Sequence, residues 1–132
     1  MAPPPDLTSP IVLLVEADEE TARVVQAHLE HARYQVLHAQ DGHSAQRLIE
    51  TMPPPDLILI DARLPDLSGF DLLAYLQHQA GWEAVPRVMV SADGSAQAVQ
   101  RALDAGVKDY ILTPFDPQQL TARLGRLLDA LR

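Results

Sequence analysis

Four places in this 132-residue sequence put a chemically useful side chain at or just after the end of an apolar run. Glu16 and Asp18 follow residues 11–15, Asp61 follows residues 57–60, Ser91 ends residues 87–91, and Thr113 and Pro114 follow residues 109–112. Brought to one edge, Glu16, Asp18 and Asp61 would be three carboxylates in a small space. Like charges a few ångströms apart repel by roughly 4 kcal/mol in a partly screened setting, so something must compensate. A hard divalent cation held by oxygen ligands is the usual compensation. A carboxylate nucleophile beside Mg²⁺ suits capture of a phosphoryl group, because the metal neutralises the oxygens in flight. That chemistry depends on whether the backbone delivers these residues to one place.

The surrounding pattern predicts that it does. Residues 11–15 form a continuous apolar run, as in a strand buried on both faces. Asp18 or Glu19 opens a helix carrying Ala22, Val25 and Leu29 at helical spacing. Residues 34–39 read as a second strand, and Asp41-Gly42-His43-Ser44 starts a helix with Ala45, Leu48 and Ile49. Pro53-Pro54-Pro55 ends it, since fixed φ angles without donors cannot continue a helix. Residues 57–60 are the most apolar strand and so the central one. A helix over 69–79, with Phe70, Leu73, Leu76 and Gln77 on one face, stops near Gly81. A fourth strand covers 87–91, a helix over 95–105 ends at Gly106, and a fifth strand covers 109–112. Asp116-Pro117 is a cap followed by proline at the first helical position, leading through Leu120, Leu124, Leu127 and Leu131. Strands alternating with helices imply parallel β-α-β units with right-handed crossovers. Ligands of such sheets sit beyond the carboxyl ends of the strands, where the residues above lie.

Bulk properties narrow the class. The length suits one domain, and 47% hydrophobic with 21% charged residues is ordinary for a globular chain. Residues 1–10 hold four of the eleven prolines and read as a disordered lead-in to a domain over 11–132. Neither a membrane span nor a secretory signal is visible. The absence of cysteine fits a reducing cytoplasm. A formal net charge of −8 argues against direct nucleic-acid binding, which needs a basic face.

The sequence resembles the receiver domain of bacterial two-component response regulators over residues 10–131. The resemblance is carried by Ile-Val-Leu-Leu-Val-Glu16-Ala17-Asp18-Glu, by Pro55-Asp-Leu-Ile-Leu-Ile-Asp61-Ala-Arg63-Leu-Pro65-Asp-Leu-Ser-Gly69, by Val88-Met-Val-Ser91-Ala, and by Asp109-Tyr110-Ile-Leu-Thr113-Pro114-Phe115. It implies a flavodoxin-like doubly wound five-stranded parallel sheet, order 2-1-3-4-5, flanked by five helices. It also implies that Asp61 is a phospho-acceptor, with Glu16 the first acid of an acidic pair and the backbone carbonyl of Arg63 facing Mg²⁺. Ser91 matches the switch hydroxyl, Tyr110 the switch aromatic, and Thr113-Pro114 a bond that is cis in the family. The implied donor is a sensor histidine kinase or phosphotransfer protein, and the fourth helix, fifth strand and last helix offer a face for a homodimer.

Two positions depart from that pattern. Ala17 stands where the family has a carboxylate that ligates Mg²⁺ directly, and Thr113 stands where it has a lysine. Losing the first weakens a cation site, leaving Asp18 as the nearest acid that could help. Losing the second removes a charge-assisted contact worth about 1.5 to 3 kcal/mol. Lys108, the only lysine, lies at the wrong end of the fifth strand, whereas Arg63 borders the site and could pair with Asp93. Plainer readings stand beside these: Asp18 as the cap of the first helix, Tyr110 as edge packing, and His28 and His31 as solvated surface. Two functions follow, a phosphorylation-dependent signalling module or a degenerate receiver acting as a phosphate-independent interaction module. A nucleotide- or flavin-binding enzyme is the weakest reading, because no glycine-rich loop follows the first strand.

Overall fold

The computed structural model describes residues 5–131. Its elements run β1 (Ile11–Val15), α1 (Glu19–His31), β2 (Gln35–Ala39), α2 (Gly42–Thr51), β3 (Leu57–Asp61), α3 (Gly69–Leu76), β4 (Arg87–Ser91), α4 (Ala96–Asp104), β5 (Val107–Leu112) and α5 (Pro117–Ala130). The strands form one parallel sheet in the order β2-β1-β3-β4-β5, the flavodoxin-like arrangement. Alternation along the strands splits the core in two. Leu13, Val15, Ile58, Ile60 and Met89 face α2, α3 and α4, while Val12, Leu14, Leu57, Leu59 and Val88 face α1 and α5. Burial on both faces is why β1, β3 and β4 read as continuous apolar runs. β2 lies at the edge, and its Leu37 and His38 are exposed.

Each helix starts on a side-chain cap: Asp18, Asp41, Ser68, Ser95 and Asp116 each accept from a backbone amide two or three residues on. Pro117 occupies the first turn of α5 as expected. Other boundaries differ from the sequence expectation. α3 stops at Leu76 rather than near residue 79, because His78 and Gln79 donate to carbonyls only three residues back before Gly81 turns at φ +89°. β5 begins at Val107, two residues early, because Gly106 at φ +91° delivers the chain straight into the sheet. A register irregularity beside Arg87 and Val88 follows that entry. On α5 the third buried leucine is Leu128, not Leu127 or Leu131, since 120, 124 and 128 keep one stripe. Phe70 is only half-buried, its ring under the Arg101 guanidinium at 4.0 Å.

Of the proline-rich lead-in, residues 1–4 lie outside the described residues. Residues 6–9 form a turn. Ser9 N–H donates to the Asp6 carbonyl at 3.1 Å, and Arg33 pairs with the Asp6 carboxylate at 2.8 Å. Gln35 holds the Ser9 carbonyl from β2 at 2.8 Å. Among the described residues no helix is long and apolar enough to cross a membrane.

Candidate functional site

The strand order brings the carboxyl ends of β1, β3, β4 and β5 to one edge. Backbone bonds continue the ladder past the strands: Ala62 N–H donates to Val90 C=O, and Thr113 N–H to Ser91 C=O, both at 2.9 Å. Beyond them lies a cleft of about 460 Å³ lined by Glu16, Ala17, Asp18, Thr21, Asp61, Ala62, Arg63, Ser91, Ala92, Asp93 and Thr113. Of the residues singled out from the strand ends, Glu16, Asp18, Asp61, Ser91 and Thr113 line it, and Pro114 does not. The Thr113–Pro114 bond is cis.

Glu16 is the buried member, 7% exposed. Burial pushes its carboxyl up to about 8, and the Asp61 carboxyl beside it adds to the rise. Glu16 therefore keeps its proton into the neutral range, so the pair carries less than its formal charge. Asp61 is partly buried, and Arg63 N–H donates to its Oδ1 at 2.9 Å. Gly69 makes that geometry possible. A Cβ there would come within 2.7 Å of the Asp61 carbonyl oxygen and 2.8 Å of Ala62 Cα.

Asp18 does not join the acidic pair. Its Oδ2 accepts from the amide of Thr21 at 2.9 Å and from the Thr21 hydroxyl, bonds that hold its carboxyl below the usual range. The plainer reading, a helix cap, is the one the geometry favours. Among the described residues no three His, Cys, Asp or Glu side chains gather to hold a metal ion, so the expected Glu16–Asp18–Asp61 set is not assembled. What remains is two adjacent carboxylates and the Arg63 carbonyl on the neighbouring loop. Mg²⁺ is commonly held by one or two carboxylates with water completing the shell. The residues therefore fit the ion as a reduced site.

The Arg63–Asp93 bridge anticipated from sequence is absent: ion pairs among the described residues join Arg33 to Asp6, His43 to Asp66 and Arg123 to Asp109. Asp93 is turned toward α4, where its Oδ1 accepts from Ser95 N–H at 3.0 Å. Its backbone does something the sequence did not signal. Asp93 N–H donates to Ser91 Oγ at 3.1 Å, and its carbonyl accepts from the Tyr110 hydroxyl at 2.6 Å. Tyr110 thus stands outside the cleft but is tied to Ser91 through one residue, Asp93, its ring packed on the α2–α3–α4 core. Thr113 presents a hydroxyl where a cation was expected, and Lys108 lies at the far end of β5 beside Glu83 and Arg87. Arg63 is the one positively charged residue lining the cleft.

A family model described as the response regulator receiver domain matches residues 12–125. The chain is 35% identical over 114 residues to the transcriptional regulatory protein KdpE of Mycobacterium tuberculosis, covering 86% of this chain and 49% of that protein. It is 35% identical over 113 residues to the phosphate regulon transcriptional regulatory protein PhoB of Escherichia coli, again covering 86% and 49%. It therefore spans about half the length of these relatives. Among solved structures, the receiver domain of the Francisella response regulator 1452 superposes with a TM-score of 0.85 at 30% identity, covering 94% of this chain and all of that one (100%). A CheY-like receiver domain protein from Methanospirillum hungatei gives 0.84 at 26% identity, covering 94% and 97%. Sequence, sheet order and strand-end cleft agree, and the chain belongs to the response regulator receiver domains, the signalling modules of two-component systems.

Proposed function

We propose that Asp61 accepts a phosphoryl group from a sensor histidine kinase or phosphotransfer protein, and that the chain acts in the cytoplasm as a phosphorylation-driven switch. The observation that carries this is the Asp61 carboxylate, held by the Arg63 amide in a cleft that also contains Ser91 and Thr113. An Asp61 oxygen attacks phosphorus, the P–N bond of a phosphohistidine donor breaks, and the released imidazole takes up a proton. Glu16, Asp61 and the Arg63 carbonyl would hold Mg²⁺, which supplies neutralisation of charge on the transferred oxygens. Thr113 offers the phosphoryl oxygens a neutral hydroxyl only.

The switch follows from bonds already present. Ser91 Oγ now accepts from Asp93 N–H, and the carbonyl of the same residue holds the Tyr110 hydroxyl. A Ser91 hydroxyl drawn to a phosphoryl oxygen lets go of the Asp93 amide, and the shift of that residue releases or re-seats Tyr110. The face changed is that of α4, β5 and α5, where Leu103 and Leu112 are exposed, suited to a partner or a second copy. The test is intact mass after exposure to a small acyl phosphate, with and without Mg²⁺, beside Asp61→Asn. One added phosphoryl group that needs Asp61 and Mg²⁺ is expected. No gain from either the small donor or a histidine kinase would favour a phosphate-independent interaction module.

A further inference from the structure

The loop that Asp61 opens is anchored at its far end to another helix. Residues 62–68 leave β3 and enter α3, and a loop of that length needs no outside support to connect them. Yet the Asp66 carboxylate accepts from the amides of Gly42 and His43, both at 2.8 Å, at the start of α2. It also accepts from Leu67 N–H at 2.9 Å, and His43 Nδ1 lies 2.6 Å from its Oδ2. Asp41 already caps α2 through Ser44 N–H at 2.7 Å, so the helix start has a second carboxylate supplied from across the fold.

Shape reinforces charge. The Leu67 side chain fills the space beside Gly42, where a Cβ would meet Leu67 Cγ at 2.3 Å. Nearer the cleft, Arg63 and Ser68 form an antiparallel bridge, and Gly69 N–H donates to Ala62 C=O at 2.9 Å. A continuous path therefore runs from the α2 amides through Asp66, along the doubled-back loop, to the Arg63 amide on Asp61 Oδ1.

We propose that Asp66 is a positioning residue for phosphoryl capture: with Leu67 seated over Gly42, it docks the loop on α2 and so fixes the Arg63 amide and carbonyl against the Asp61 carboxylate. This rests on Asp61 being the phospho-acceptor. Asp66 touches no reacting atom. Its effect is on how often the loop holds the productive geometry, where a displacement of one ångström can cost a large factor in rate.

The test uses acetyl phosphate with Mg²⁺: Asp61 forms its bond to phosphorus as the bond from phosphorus to the acetyl oxygen breaks and acetate leaves. Asp66→Ala removes the acceptor, Asp66→Asn keeps one oxygen of similar reach, and Gly42→Ala unseats Leu67 without changing charge. Mass gain is followed against donor concentration, and amide hydrogen exchange is followed over residues 62–68. Asp66→Ala and Gly42→Ala should each lower the maximal rate by about tenfold or more, with half-saturation little moved. Both should speed exchange at the Arg63 amide, and Asp66→Asn should recover most of the rate. A merely structural Asp66 would lower the melting temperature and leave the rate of the folded protein unchanged, which would overturn the proposal. If wild-type protein takes up no phosphoryl group, the functional reading fails and the rate consequence with it. The exchange measurement then still decides docking, and an unchanged Arg63 amide in Asp66→Ala would refute it.

Discussion

Glu16 and Asp66 titrate in opposite senses because one is buried against another acid and the other is ringed by amides. The Glu16 carboxyl lies above its ordinary value of 4.5, at about 8, first because of burial and then because of Asp61. A raised acid stabilises the fold fully below the unfolded value and loses that contribution as pH climbs through the folded one. Stability without divalent cations should therefore decline between about pH 4.5 and pH 8, and Glu16→Gln should flatten the decline in urea titrations. Desolvation opposes the Asp66 charge, yet the amides of His43, Gly42 and Leu67 hold that carboxyl down at about 2. Its contribution is present above the ordinary 3.8 and fades as pH falls toward 2, a loss that Asp66→Ala should abolish. At position 113, Thr113→Lys would return a cation to the cleft and should speed phosphoryl uptake by about tenfold or more, the equivalent of one charge-assisted contact. Asp61, Ser91 and Thr113 were legible because each sits where a strand stops. Asp18 was legible only as a choice between cap and ligand, which Thr21 decides in space. Asp66 was not legible, since its partners Gly42 and His43 lie 24 and 23 residues away.

Elements whose signal is a run of one residue type were read correctly, and those whose ends depend on backbone conformation were not. β1, β3 and β4 are apolar because both faces are covered. The end of α3 is set by a tightened turn at His78 and Gln79, and the start of β5 by Gly106 at positive φ, a property that the letter G permits but does not require. Within α5 the choice among Leu127, Leu128 and Leu131 turned on which stripe faces the sheet. Leu128 is 8% exposed and Leu131 is 53% exposed. Leu128→Ala should cost about 2 to 5 kcal/mol in chemical denaturation, while Leu131→Ala should stay below about 1 kcal/mol. Gly69→Ala tests the junction of β3 and α3. The atoms it would strike are backbone, so β3's last residue must move, and both stability and phosphoryl uptake should fall.

At the scale of the whole molecule, a single sheet is shared by two cores, one on each face. Trp82, the only tryptophan, reports on the α2–α3–α4 side alone, while circular dichroism reports on all helices. Coincident urea transitions by the two signals are expected, because every central strand belongs to both cores; separate transitions would show that one layer can melt without the other. The same architecture divides the molecule end to end. One edge of the sheet carries the cleft, and the opposite edge carries Lys108, exposed and the only lysine. Coupling chemistry directed at that side-chain amine would attach a dye or a sensor surface at a defined point, leaving Asp61 facing solution. Threonine rather than lysine at position 113 thus leaves Lys108 as an orientation handle, so binding of a kinase could be followed with the reacting end presented outward.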